Sequence, residues 1–285
     1  MRSTVGGYLG LLEVPEGEPR RAAWVDRYEA AHPAVFARYY ENWGNTRRRD
    51  QAADAVSQLA PVIRQREVRA RSLVTRAGRD LKEIGVLQAD EIPAVLLVGG
   101  HTSNGWVTNL EGVTTLFLAL EYLGEPPFDD ILVTHEAVHL GHLGGPAATW
   151  PATVAEALFS EGLAVAVSRH VRPGLDDSAY LWFDDSHQRW VNECRERDSE
   201  IRRTVLARLG STDSEFISTL FGAQSGSPLP TRCGYWMGDL IVRHLIEDAS
   251  ASPRELLCWT YQQAQMKVAE VLVKLDPTAR ATPTQ

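Results

Sequence analysis

The pattern of apolar and polar positions divides the chain into an early helical stretch, a short strand-rich stretch and a long helical remainder. Helical patterning near 19–43, broken at Pro33, is followed by a second helix near 52–84, in which Pro61 predicts a kink or a restart. Apolar runs bounded by Gly, Pro and Asn predict strands near 92–99, 104–109 and 113–122. Helical periodicity resumes after Pro127 and returns near 183–209, 213–222, 234–248 and 253–274. The polar segment from Asp276 to Gln285 is expected to be a disordered tail. Strands gathered in the first half and helices in the second define an α+β class, mainly helical. The expected organisation is a single domain with two lobes, about 1–145 and about 146–275, and a cleft between them.

One helix carries chemistry. Pro126 and Pro127 limit helix before it, Asp129 or Asp130 can cap its start, and Gly144, Gly145 and Pro146 end it after about four turns. Ile131, Leu132, Val133, Val138, Leu140 and Leu143 spread round most of its circumference, as in a buried helix. The same helix holds His135-Glu136-Ala137-Val138-His139, an H-E-x-x-H pattern. Residues four apart share one helical face. Two imidazoles so placed can hold one Zn²⁺ from two corners of a tetrahedron, with Glu136 beside them to take a proton from water. Burying these side chains is unfavourable unless they have partners. A metal is one such partner; the alternative is a pair of core histidines bonded to backbone carbonyls.

The next helix, expected from Pro151 to about His170, supplies a third ligand. The helical neighbours of Glu161 are Ala157, Leu158, Ala164 and Val165, so its carboxylate sits on an apolar stripe and needs a strong partner. Glu156, among Ala152, Thr153, Phe159 and Ser160, reads as solvent-facing or as a support to the ligands. Gly162 would let two backbones approach closely. Gly145 stands where an extended H-E-x-x-H-x-x-G-x-x-H pattern needs its last histidine. His142 is therefore read as a helix-end residue complementing the dipole.

H-E-x-x-H followed by Glu161-Gly162-Leu163-Ala164 on a second helix resembles the gluzincin metallopeptidases, and among them a bacterial family of predicted zinc-dependent proteases. Tyr28 to Tyr40, Val95 to Gly100, and Gly234-Tyr235-Trp236-Met237-Gly238 also look similar to that family. The resemblance implies a zincin-like fold, with the small sheet packed on the metal helix. It implies one Zn²⁺ per chain on His135, His139 and Glu161, and hydrolysis of peptide bonds with Glu136 as general base. Tyr235 is the candidate donor to the developing oxyanion, the alternative being a core tyrosine with one hydrogen bond. Where some gluzincins place an aspartate four residues past the ligand glutamate, this chain has Val165. The carboxylate behind a ligand histidine is then Glu156, Asp129 or Asp130. An extended peptide or protein substrate is expected along a strand edge, with Gly99 and Gly100 admitting its backbone. Asn104-Gly105 reads as an ordinary turn. Competing readings are a hydrolase of a non-peptide amide and a binding or regulatory module that retains a structural zinc.

Hydrophobic content of 44% and charged content of 23% fit an ordinary soluble protein. A net charge of −8 argues against general nucleic-acid or anionic-membrane binding. The arginine-rich stretch from Arg47 to Lys82 is read as a solvated helix face, since Glu67 and Asp80 are interspersed and no aromatic residues accompany it. Cys194, Cys233 and Cys258 form no C-x-x-C pattern, fit a reducing compartment and read as small buried hydrophobes. No run is long enough to span a membrane and no signal peptide is recognisable, so the expected location is cytoplasmic.

Overall fold

A computed structural model describes residues 1–182, 188–222 and 228–275. The expected tail from Asp276 to Gln285 and the start of the helix expected near 183 lie outside the described residues. The chain divides into two compact units. One comprises Met1–Lys82 and Ala89–Leu140; the other comprises Glu83–Gln88 and the chain from Gly141 onward.

In the first unit, β1 (Arg2–Ser3), β2 (Ala94–Leu97), β3 (Gly105–Leu110) and β4 (Val113–Ala119) form one sheet in the order β1-β2-β4-β3. Every residue of β2 is buried, which is why this strand appears in sequence as an unbroken apolar run. It pairs in parallel with β1 and β4, while β3 and β4 form an antiparallel hairpin. The two-residue turn of that hairpin, Glu111-Gly112, has positive φ at both positions, the backbone a tight right-twisting hairpin requires. The pairing of β1 adds a strand that the sequence pattern does not announce, because two residues carry no periodicity.

Helices α1 (Val5–Gly10), α2 (Glu18–Ala23), α3 (Pro33–Asn42), α4 (Arg49–Asp54) and α5 (Val56–Glu83) precede β2, with a π-helical stretch over Trp24–Glu29. Pro61 is accommodated inside α5 without ending it. Trp106 of β3 lies in a stack with Trp43, Tyr39 and Phe117, at ring separations of 5.4, 5.6 and 5.2 Å. The helix α6 (Phe128–Leu143) follows the sheet, and Ile131, Val133, Ala137 and Val138 are fully buried. The Asp129 carboxylate accepts from the first-turn Asp130 N–H at 2.8 Å. Asp129 and Asp130 both lie in the first turn of α6, where a negative charge complements the helix dipole, and each meets an arginine of α5. Arg69 forms a two-pronged pair with Asp129, and Arg76 reaches Asp130 at 2.8 Å. Part of the arginine-rich face of α5 thus fastens α6 instead of facing solvent alone.

In the second unit the elements are α7 (Val154–Val171), α8 (Asp177–Trp182), α9 (Gln188–Glu196), α10 (Asp198–Ala207), α11 (Ser214–Phe221), α12 (Cys233–Glu247), α13 (Pro253–Leu257) and α14 (Tyr261–Lys274). The start of α7 falls later than Pro151 because Thr153 caps it, accepting from the Glu156 N–H at 3.2 Å. The Tyr261 hydroxyl holds the Thr153 hydroxyl at 3.0 Å. Capping boxes at Ser252 and Thr260 divide the stretch 253–274 into two helices. Cys194 and Cys233 are buried, and burial pushes both thiols up; Cys258 is exposed, contrary to expectation.

The principal packing of this unit is α7 on α12, through a glycine pair. A Cβ on Gly162 would stand 2.2 Å from the Gly238 carbonyl oxygen, and a Cβ on Gly238 would stand 2.5 Å from the Leu158 carbonyl oxygen. The close approach expected at Gly162 is therefore real, and its partner is backbone. Arg169 of α7 pairs with buried Asp239 of α12 at 2.9 Å. Gly162→Ala should lower stability by about 3 kcal/mol or more, the upper end for overpacking, because backbone cannot rotate aside. Gly6→Ala, where no atom lies within 4 Å of the new Cβ, is the control. Urea unfolding midpoints measure both, and equal midpoints for the two variants would refute the account.

Candidate metal centre

The metal helix positions its side chains by period. His135 and His139 are one turn apart on α6, and their Nε2 atoms stand 3.3 Å apart. Two nitrogens that are each about 2.0–2.1 Å from a tetrahedral zinc stand roughly 3.3–3.4 Å apart. The spacing is therefore that of two ligands to one ion. Glu161, in the second turn of α7, completes the group: ligand atoms of His135, His139 and Glu161 all lie within 4.8 Å of one another. His135 is 2% exposed and Glu136 is 8% exposed, while His139 and Glu161 are half-buried. A nitrogen pair and a carboxylate oxygen form a donor set suited to zinc, and three protein ligands are the number a catalytic zinc site has.

Glu136 meets the start of β3. A Cβ at Gly105 would stand 2.7 Å from Glu136 Cγ and 3.1 Å from its Cδ. Gly105 is thus a point of close approach at the first residue of a strand, not the ordinary turn residue that Asn104-Gly105 suggests in sequence. The signal was present, since an isolated glycine in a strand pattern marks a bulge or a close contact.

The segment before β3 is held by side chains at five consecutive residues. The Tyr28 hydroxyl donates to the Val98 carbonyl at 2.8 Å and accepts from the Val98 N–H at 3.0 Å. Glu121 accepts from the Gly99 N–H at 2.9 and 3.0 Å, and from the His101 N–H at 3.3 Å. The Tyr39 hydroxyl accepts from the Gly100 N–H at 2.7 Å and bonds Thr102 Oγ1 at 2.7 Å. His101 has φ +54, a left-handed conformation that side-chain-bearing residues adopt only when their surroundings impose it. The expected role of Gly99 and Gly100 changes accordingly. The room at Gly99 is filled by the Tyr39 hydroxyl and Glu121, and that at Gly100 by Arg48 Cβ at 3.3 Å, so neither glycine lies open to another backbone. The edge strands of the sheet are β1 and β3.

Other candidates fall as follows. Asp129 and Asp130 are engaged by Arg69 and Arg76, and Glu156 is half-buried in the first turn of α7. His142 stands in the last turn of α6, as expected, but it is buried at 1% exposure, with Nδ1 3.1 Å from Ser160 Oγ and its ring against Trp150 and Phe159. Tyr235 is half-buried in the first turn of α12, edge-on to Phe221 and beneath the Arg232 guanidinium. It lies one turn before Gly238, whose partner Gly162 directly follows Glu161.

Two histidines four apart on one helix and a glutamate from the next, within reach of one ion, define a gluzincin-like metal centre. A family model described as "Predicted Zn-dependent protease (DUF2268)" matches residues 109–264, more than half of the chain, and the chain belongs to this family. No curated protein and no solved structure matches. Among the described residues no helix is long and apolar enough to cross a membrane.

Two measurements test this site. Elemental analysis should find about one metal equivalent per chain. Glu161→Ala should weaken metal binding by more than the 10–100-fold typical of losing an outer-shell partner. Unchanged affinity would remove Glu161 from the donor set. The second concerns Glu121, whose burial pushes it up from 4.5 to about 7, against the lowering effect of its N–H partners and Arg66. The folded chain then binds this proton more tightly than the unfolded chain. The resulting stabilisation is complete below about pH 4.5 and is lost as pH rises through about 7, a change on the order of 3 kcal/mol. In the metal-free protein, the stability difference between wild type and Glu121→Gln should fall over that window. A difference independent of pH would contradict it.

Proposed function

We propose that the protein is a zinc peptidase, with one Zn²⁺ per chain held by His135, His139 and Glu161. The observation that carries this reading is the 3.3 Å separation of the two histidine Nε2 atoms, with a carboxylate oxygen in reach of both. Family membership supports the same activity. A bound zinc ion would supply Lewis-acid chemistry that makes water nucleophilic near neutral pH. Glu136 adjoins the ligands in sequence and is almost fully buried, so it is the general base in this reading. It accepts a proton from water as the new C–O bond forms at the peptide carbonyl. It returns that proton to the amine nitrogen as the C–N bond breaks.

The substrate in this reading is an extended peptide or protein segment. It adds to β3, an edge strand of the sheet, whose first residue Gly105 lies against Glu136. A net charge of −8 gives no general attraction for nucleic acid. Tyr235 is the oxyanion donor in this scheme. What supports the reading is that Tyr235 precedes by three residues Gly238, whose backbone meets Gly162, the residue after Glu161.

The test is turnover of a mixed peptide library by zinc-loaded protein, read by mass spectrometry. Glu136→Gln should retain zinc and lower kcat by about 10²–10⁴-fold, the range of general acid–base catalysis. Tyr235→Phe should lower kcat by about 10²–10³-fold, as loss of one oxyanion donor does, again with zinc retained. Full turnover by Glu136→Gln would sink the mechanism. Full turnover by Tyr235→Phe would remove only the tyrosine from it.

A further inference from the structure

We propose that Gly105 is a positioning residue for Glu136, and that Glu121 fixes Gly105 in place through the segment Val98–Thr102. The inference rests on the reading of Glu136 as the general base.

A glutamate at the second position of H-E-x-x-H has three rotatable side-chain bonds. Its carboxylate is useful only if confined, because a misplacement of about 1 Å can cost on the order of 10²-fold in rate. Metal ligation orients the histidines but not Glu136. The wall against Glu136 is the backbone of Gly105, close enough that one added methyl would stand 2.7 Å from Cγ, a separation real Cβ atoms essentially never show. The absence of a side chain at position 105 is therefore a condition for the place that Glu136 occupies.

A wall confines only if it is itself fixed. Gly105 is the first residue of an edge strand, paired on one side to Leu118 of β4. Ahead of it, Val98 to Thr102 are each held by Tyr28, Tyr39 or Glu121. Glu121 makes the central contribution. It takes two N–H groups across the left-handed His101, and it follows the C-terminal end of β4, the strand that pairs with Gly105. One buried carboxylate therefore ties the incoming segment to the strand beside Gly105.

The experiment uses the full chain and begins with a double-mutant cycle in thermal stability. Gly105→Ala should lower the melting temperature in the wild-type background. It should lower it much less in a Glu136→Ala background, where the colliding Cγ is gone. Equal losses in the two backgrounds would overturn the proposal, since a glycine needed only by the strand does not sense residue 136. The second arm is crystallographic and kinetic, on zinc-loaded protein with the mixed peptide library. Gly105→Ala should keep its zinc and a near-unchanged KM, lose on the order of 10²-fold in kcat, and show a displaced Glu136 carboxylate. Glu121→Leu should act in the same direction. Glu121→Gln, which keeps an oxygen for the Gly99 and His101 N–H groups, should recover most of the loss. A Glu136 carboxylate that stays in place in both Gly105→Ala and Glu121→Leu would refute the assignment. If the wild type cleaves nothing in the library, the peptidase reading fails, while the stability cycle and the crystal structures still decide whether Gly105 sets Glu136.

Discussion

The structure depends on one constraint: the polar groups of the H-E-x-x-H pattern must be presented from a helix that is largely buried. Ile131, Val133, Ala137 and Val138 are buried on α6, and so is His135. Imidazole nitrogens in such surroundings need partners, and a misplaced turn of helix would leave them without. The rest of the first unit answers that need. Two ion pairs from α5 fasten the first turn of α6 through Asp129 and Asp130. The start of β3 bounds Glu136, and the aromatic stack on Trp106 anchors the next residue of that strand. In the second unit, the backbone contact of Gly162 with Gly238 serves Glu161 in the same way, because it fixes the helix one residue from that carboxylate.

Legibility in the sequence follows the range of the interaction concerned. Contacts set within one helix were readable. The H-E-x-x-H face is pure periodicity, and Glu161 was distinguished from Glu156 by neighbours three and four residues away. Burial of β2 was readable from an unbroken apolar run, and the close approach at Gly162 from a glycine in an apolar helix. What failed depended on residues distant in sequence. Gly99 and Gly100 look like open backbone until Tyr39 and Glu121, some 61 and 22 positions away, are seen to occupy their space. Nothing local to Asp129 and Asp130 shows that Arg69 and Arg76 of α5 pair with them. His142 stands at the helix end as its position suggests, but its burial against Ser160 of α7 is not legible locally. No local pattern carries that information.

Glu121 illustrates why such a group stays hidden. In sequence it is one acidic residue between Leu120 and Tyr122, with no motif around it. In the fold it is buried, receives N–H groups from two residues, and titrates near neutrality because burial outweighs those bonds. Hydrogen bonds from backbone N–H favour the charged form, and desolvation opposes it. The same carboxylate that orders the segment ahead of β3 is thus pushed up by its burial. The left-handed backbone at His101 persists because its surroundings fix it, as strained residues near functional sites do.

Two glycine contacts in the molecule have the same outward form and different physical consequences. At Gly162 the obstructing atoms are backbone of α12, so an added methyl can be relieved only by separating two helices. That penalty falls on the fold as a whole. At Gly105 the obstructing atoms belong to the Glu136 side chain, which can rotate about three bonds. There the strain can be relieved in part by displacing the Glu136 side chain itself, so the cost to stability is local and comes with a shift of that carboxylate. A close approach between backbones is therefore a device for architecture. A close approach between backbone and a flexible side chain bounds where that side chain can stand, and at the start of β3 the side chain so bounded is the glutamate of the H-E-x-x-H pattern.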